Sequence, residues 1–122
     1  MSKTIMIVDD SASLRQVVAL ALKGAGYDVI EAADGKDALP KLTGQKVHLI
    51  ISDVNMPNMD GITFVKELKQ NPSYKFTPVI MLTTESQEGK KAEGQAAGAR
   101  AWVVKPFKPE QMLAAVSKLI LP

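Results

Sequence analysis

The chain has 122 residues, 46% of them hydrophobic and 23% charged, with a formal net charge of +2 and no cysteine. That length and balance suit one globular domain, expected over residues 1–122, and so small a charge without a basic, aromatic-interleaved run argues against nucleic acid. Disulfides and thiolate metal sites are excluded, no apolar stretch approaches membrane-spanning length, and Met1-Ser2-Lys3-Thr4 lacks a signal-peptide pattern, so cytoplasm is the default location.

Ile5-Met6-Ile7-Val8 is a short apolar run ending in Asp9-Asp10-Ser11. Leu14, Val17, Val18, Ala21 and Leu22 then recur at helical spacing, closed by Gly24 and Gly26. Val29-Ile30 reads as a strand, and Asp34-Gly35 opens a helix through Ala38, Leu39 and Leu42 that Pro40 should kink or keep short. Leu49-Ile50-Ile51 is too short for a helix and rich in β-branched residues, hence a buried strand. Pro57 biases Met56 away from helix and cannot extend a ladder, so this strand ends near Asp53.

Asp60-Gly61 starts a helix through Ile62, Val65 and Leu68, stopped by Asn71-Pro72. Val79 to Leu82 is the fourth strand, ending in Thr83-Thr84-Glu85. From Ser86 to Ala97 a marginal helix is expected, because it holds no Leu, Ile, Val or Phe. Gly89 and Gly94 would each cost it about 1 kcal/mol relative to alanine. Ala101-Trp102-Val103-Val104 is the fifth strand, ending in Lys105-Pro106, and Pro109 begins a last helix burying Met112, Leu113, Val116, Leu119 and Ile120.

Five alternations of apolar strand and helix predict an α/β fold, a parallel sheet covered on both faces. Right-handed crossovers make it doubly wound, and the order 2-1-3-4-5 is one common form. All carboxyl ends then share one edge, which carries Asp9, Asp10, Asp53, Thr83 and Lys105. In that order the first and third strands are neighbours and three carboxylates crowd together, which is costly unless a cation is present. Oxygen-only ligands suit a hard ion such as Mg²⁺. Lys105 adds a point charge and Thr83 a hydroxyl, a kit for holding phosphoryl oxygens around a nucleophilic Asp53. His48 precedes its strand, away from this edge, and is read as packed or solvated rather than catalytic.

With Ile7-Val8-Asp9-Asp10-Ser11, Ile51-Ser52-Asp53-Val54-Asn55-Met56-Pro57-Asn58-Met59-Asp60-Gly61, Pro78-Val79-Ile80-Met81-Leu82-Thr83, Gly98-Ala99 and Val104-Lys105-Pro106-Phe107, the chain resembles the receiver domains of bacterial two-component response regulators, and among them the stand-alone chemotaxis regulators of the CheY type. The resemblance implies a flavodoxin-like, five-stranded fold with five helices and phosphorylation of Asp53 by a histidine kinase. It implies Mg²⁺ held by Asp10, Asp53 and the Asn55 backbone carbonyl, with Asp9 acting through water. Thr83 and Lys105 would contact the phosphoryl group, the Lys105–Pro106 bond would be cis, and Trp102 would turn inward as Thr83 moves. Asn55 and Glu85, two residues beyond Asp53 and Thr83, would tune phosphoryl loss. Trp102 stands where the family usually has Tyr or Phe, and Val54 where these chemotaxis regulators often have tryptophan.

The function expected is that of a monomeric, stand-alone signal carrier rather than a conventional enzyme, with no output domain after Pro122. It would act through a flagellar motor switch or another target protein. A phosphate sink or a phosphorelay shuttle is the alternative. A small aspartyl-phosphate hydrolase is disfavoured, because Asn55 stands where such enzymes use a second acid.

Overall fold

The computed structural model describes residues 3–42, 45–84 and 91–120. In chain order the elements are β1 (Thr4–Val8), α1 (Ala12–Gly24), β2 (Asp28–Ala32), α2 (Gly35–Lys41), β3 (Leu49–Asp53), α3 (Gly61–Lys69), β4 (Val79–Thr83), α4 (Lys91–Ala97), β5 (Ala101–Val104) and α5 (Pro109–Leu119). Every strand pairing is parallel and the order is β2-β1-β3-β4-β5, the flavodoxin-like order expected. Among the described residues no helix is long and apolar enough to cross a membrane.

Side chains of successive strand residues point to opposite faces, so one sheet feeds two cores. Ile5, Ile7, Leu49, Ile51, Ile80 and Leu82 face α1 and α5, where Val18, Leu22, Met112 and Val116 meet them. Met6, Val8, Ile50, Val79 and Met81 face the other way, onto Ala38 of α2 and Phe64, Val65 and Leu68 of α3. Burial on both faces is why these strands read as unbroken apolar runs rather than alternating ones. Strand β2 extends to both sides of Val29-Ile30, because its register with β1 runs from Thr4↔Asp28 to Val8↔Ala32.

Local chemistry sets the helix ends. The Ser11, Asp34 and Asp60 side chains accept from the backbone N–H groups of Leu14, Asp37 and Thr63, three residues on in each case. Pro40 lies inside α2, which runs for only seven residues, as a proline there requires. Gly26, at φ +97°, ends α1: Tyr27 N–H donates to the Leu22 carbonyl and Gly26 N–H to that of Lys23. The amino half of the segment expected as a marginal helix, with Gly89, lies outside the described residues. Its carboxyl half is α4, in which Gly94 alone is buried.

Candidate functional site

The carboxyl edge of β1 and β3 brings Asp9, Asp10 and Asp53 together, one carboxylate oxygen from each lying within 4.8 Å of the others. Asp53 is the last residue of β3 and only 5% exposed. Its Oδ1 accepts from Val54 N–H at 2.9 Å, and its Oδ2 lies 3.2 Å from Lys105 Nζ. Lys105 also donates to Asp9 Oδ2 at 3.0 Å. Asp9 is fully buried, and its other oxygen accepts from Ser11 N–H at 2.8 Å. The Lys105–Pro106 peptide is cis, as the resemblance implied, and Lys105 N–H donates to the Thr83 carbonyl at 2.5 Å. Thr83 is itself buried at the end of β4.

The Lys105 ammonium thus contacts two of the three carboxylates, Asp9 and Asp53. Burial, and next the Asp9 charge, raise the Asp53 carboxyl above its ordinary range, and Lys105 only partly offsets them. Burial pulls the Lys105 ammonium down, but hydrogen bonds and charge from Asp9 and Asp53 outweigh it and leave Lys105 raised. The excess negative charge, the oxygen-only donor set and the exposure of Asp10 fit a hard divalent cation reached from solvent. Asn55 is exposed in the loop just after β3, and Glu85 lies outside the described residues.

Several supports of this edge have contacts that spacing in the sequence does not show. Arg15 Nη1 donates to the Asp9 carbonyl at 2.6 Å, while its Nε lies 3.2 Å from Glu31 Oε1, tying the acidic turn to α1 and β2. Spacing alone did not reveal it, because Arg15 looks like any polar residue on an amphipathic helix. Asn58, at φ +67°, donates through Nδ2 to Asp34 Oδ2 at 2.8 Å. That amide, then the Asp37 backbone N–H, hold Asp34 below the usual carboxylate range. The loop after β3 is thereby fastened to the start of α2. Gly61 N–H donates to the Val54 carbonyl at 2.8 Å, closing the same loop onto its own strand.

Trp102 is partly buried against the α2–α3 core, and its Nε1 has no hydrogen-bond partner among the described residues. A Cβ on Gly94 would lie 2.2 Å from Trp102 Cη2 and 2.6 Å from Cζ2. Gly94 is therefore the vacancy into which the indole fits, and helix softening is not its whole role. Where helix propensity alone would have alanine firm up α4, the contact makes Gly94→Ala push the ring out of its seat. Trp102 is the chain's one tryptophan, so its emission maximum should move to longer wavelength, and unchanged emission would show that the ring does not depend on Gly94.

A family profile described as the response regulator receiver domain matches residues 5–117. The chain is 48% identical to the chemotaxis response regulator CheY4 of Vibrio cholerae, with a TM-score of 0.93 over 98% of this chain and 100% of that one. It is 38% identical to protein PilG of Pseudomonas aeruginosa over 92% of this chain and 83% of PilG. The receiver domain of the sensor histidine kinase PA1611 from Pseudomonas aeruginosa, solved with a magnesium ion coordinated in its active-site cleft, is 25% identical at a TM-score of 0.88, covering 98% of each chain.

Proposed function

This chain belongs to the response regulator receiver domains, and on that premise we propose that it is a signal carrier phosphorylated on Asp53 by a histidine kinase, working in chemotaxis or flagellar motor control. The observation that carries the proposal is the three-carboxylate cluster bridged by Lys105 at the carboxyl edge of the sheet. The likeness to CheY4, a chemotaxis response regulator, supports the choice of pathway.

A carboxylate oxygen of Asp53 attacks the phosphorus of a phosphohistidine on the kinase. The N–P bond breaks with its electron pair going to the imidazole, and an acyl phosphate forms. Asp10, Asp53 and the Asn55 carbonyl would hold Mg²⁺, with Asp9 acting through water, and the bound ion would neutralise charge on the transferring phosphoryl oxygens. Burial holds Asp53 in place, and the Val54 N–H fixes one of its oxygens. Lys105 leaves its contacts with Asp9 and Asp53 for a phosphoryl oxygen, and the Thr83 hydroxyl donates to another. Water later attacks the phosphorus, releasing inorganic phosphate and restoring the carboxylate, which is self-dephosphorylation rather than conventional enzyme turnover. Output comes from a partner that binds one state better than the other, with Thr83 and Trp102 as the switching pair.

The test is a pull-down with and without Mg²⁺ and beryllofluoride, a phosphoryl mimic. Recovery of a flagellar switch protein only with the mimic is the expected result. Capture of histidine phosphotransfer proteins alone would replace the proposal with a phosphate sink or relay.

Lys105→Ala should still accept phosphate from a small donor yet respond poorly to it. Equal contacts in two states shift no equilibrium, so loss of the lysine's phosphoryl contact should reduce the phosphorylation-dependent gain in partner affinity at least tenfold. A full gain in the variant would reduce Lys105 to a charge-balancing lysine.

A further inference from the structure

At the amino edge of the sheet, about 16 Å from the acidic cluster by the rise of five parallel-strand residues, lies a groove of about 780 Å³. One wall is the turn into β3, with Lys46 and His48, and the other is the connection from α3 to β4, with Pro72 and Phe76. The walls are tied together where the Tyr74 hydroxyl donates to the Gln45 carbonyl at 2.6 Å. Leu42 and Val47, both buried, add apolar lining.

Two properties set this groove apart from an ordinary gap between loops. Phe76 is 80% exposed on its rim, far more than a large aromatic ring would be if it served only the core. The lysines that line the groove are Lys3 and Lys46, no Asp or Glu is among the described lining residues, and beside the rim Lys75 Nζ stands 5.7 Å from the Phe76 ring centroid. His48 lies among these groups. Burial first, then the charges of Lys3 and Lys46, hold its imidazole below the ordinary histidine range. Its Nδ1 accepts from Thr4 N–H at 3.0 Å, which places the proton of the neutral ring on Nε2.

We propose that this groove docks an extended acidic segment of a partner protein, its carboxylates facing Lys46 and Lys75 and one apolar side chain packed on Phe76. The inference is independent of the signalling role assigned to Asp53. The groove shares no lining residue with the acidic cluster or with Thr83 and Trp102, so docking there is expected to be the same whether or not Asp53 is modified. A partner so tethered stays at high effective concentration for any contact that is state-dependent.

The experiment pans a random heptapeptide phage library on the whole chain and synthesises the most enriched peptides. Peptides rich in Asp and Glu with one large apolar residue are expected. Their binding should weaken at least tenfold in Phe76→Ala and in Lys46→Glu, fall with salt, and stay unchanged with Mg²⁺ and beryllofluoride. They should also shift the imidazole resonances of His48, the chain's one histidine. Both substituted residues are exposed, and a thermal melt confirms that the variants fold. Absence of enrichment, enrichment of peptides without acidic residues, or equal binding to the variants would overturn the proposal. So would a concentration-dependent dimer lost in Phe76→Ala, which would assign the face to a second copy of the chain.

Discussion

Asp53→Asn is expected to abolish phosphoryl incorporation from acetyl phosphate and, in the same protein, to raise the melting temperature without Mg²⁺. The first effect follows from placement: Asp53 combines burial, a fixed carboxylate and direct contact with Lys105. The second follows from charge. Burial and the nearby Asp9 raise the Asp53 carboxyl above its unfolded value, so its ionised form is a cost to the folded state. That cost is present in full above the raised value and is relieved as pH falls through it towards the unfolded value.

Asparagine removes the charge but keeps an oxygen for Val54 N–H, and Lys105 retains Asp9 at 3.0 Å. A gain of about 1 kcal/mol, an ordinary scale for one substitution, raises the melting temperature by about 4 °C at this chain length. The gain should be clear at pH 7 and shrink in acid. Asp10→Asn is the contrast, because Asp10 is exposed and its loss should chiefly weaken Mg²⁺ binding. Full labelling of Asp53→Asn at another residue would move the acceptor elsewhere, and a lowered melting temperature would mean that the ionised cluster is no burden.

Gly61→Ala should lower the melting temperature by about 10 °C and slow phosphorylation at least tenfold. A Cβ at that position would lie 2.0 Å from the Asp53 carbonyl oxygen and 3.0 Å from its carbon. A side chain could rotate away from such a contact, but this oxygen belongs to the backbone of β3. The Gly61 N–H also holds the Val54 carbonyl at 2.8 Å, so α3 cannot lift away without releasing the end of the strand. Overpacking of this kind costs about 3 kcal/mol, and here the displaced atoms carry Asp53 with them. Mg²⁺ affinity should fall together with stability. Gly24→Ala is the control, since nothing lies within 4 Å of its added Cβ. Near-wild-type melting and phosphorylation in Gly61→Ala would show that the helix start yields more easily than its backbone contacts imply.

Much of this is legible in the sequence. Doubly buried strands must be apolar on both faces, so Ile5-Met6-Ile7-Val8 and Val79-Ile80-Met81-Leu82 announced themselves as runs. Each such run ends where the acids, Thr83 and Lys105 begin, and parallel pairing then puts all of them on one edge. Pro40 lies inside a short α2, and His48 stands at the amino side of β3, away from the acidic edge. These inferences needed only local periodicity, the stereochemistry of proline and the fact that parallel strands share a direction.

The sequence by itself therefore determined which elements form and which side chains stand at the carboxyl edge, because both depend on neighbours along the chain. Only the tertiary structure decided that Lys105 spans Asp9 and Asp53, that Arg15 braces the Asp9 carbonyl, and that Asn58 fastens its loop to Asp34. The two glycines show why. Gly61 and Gly94 read as a helix start and a helix weakener, yet one makes room for the Asp53 carbonyl and the other for the Trp102 ring. A missing Cβ looks the same in a sequence whatever occupies the space it leaves, and that occupant comes from a segment whose position only packing sets.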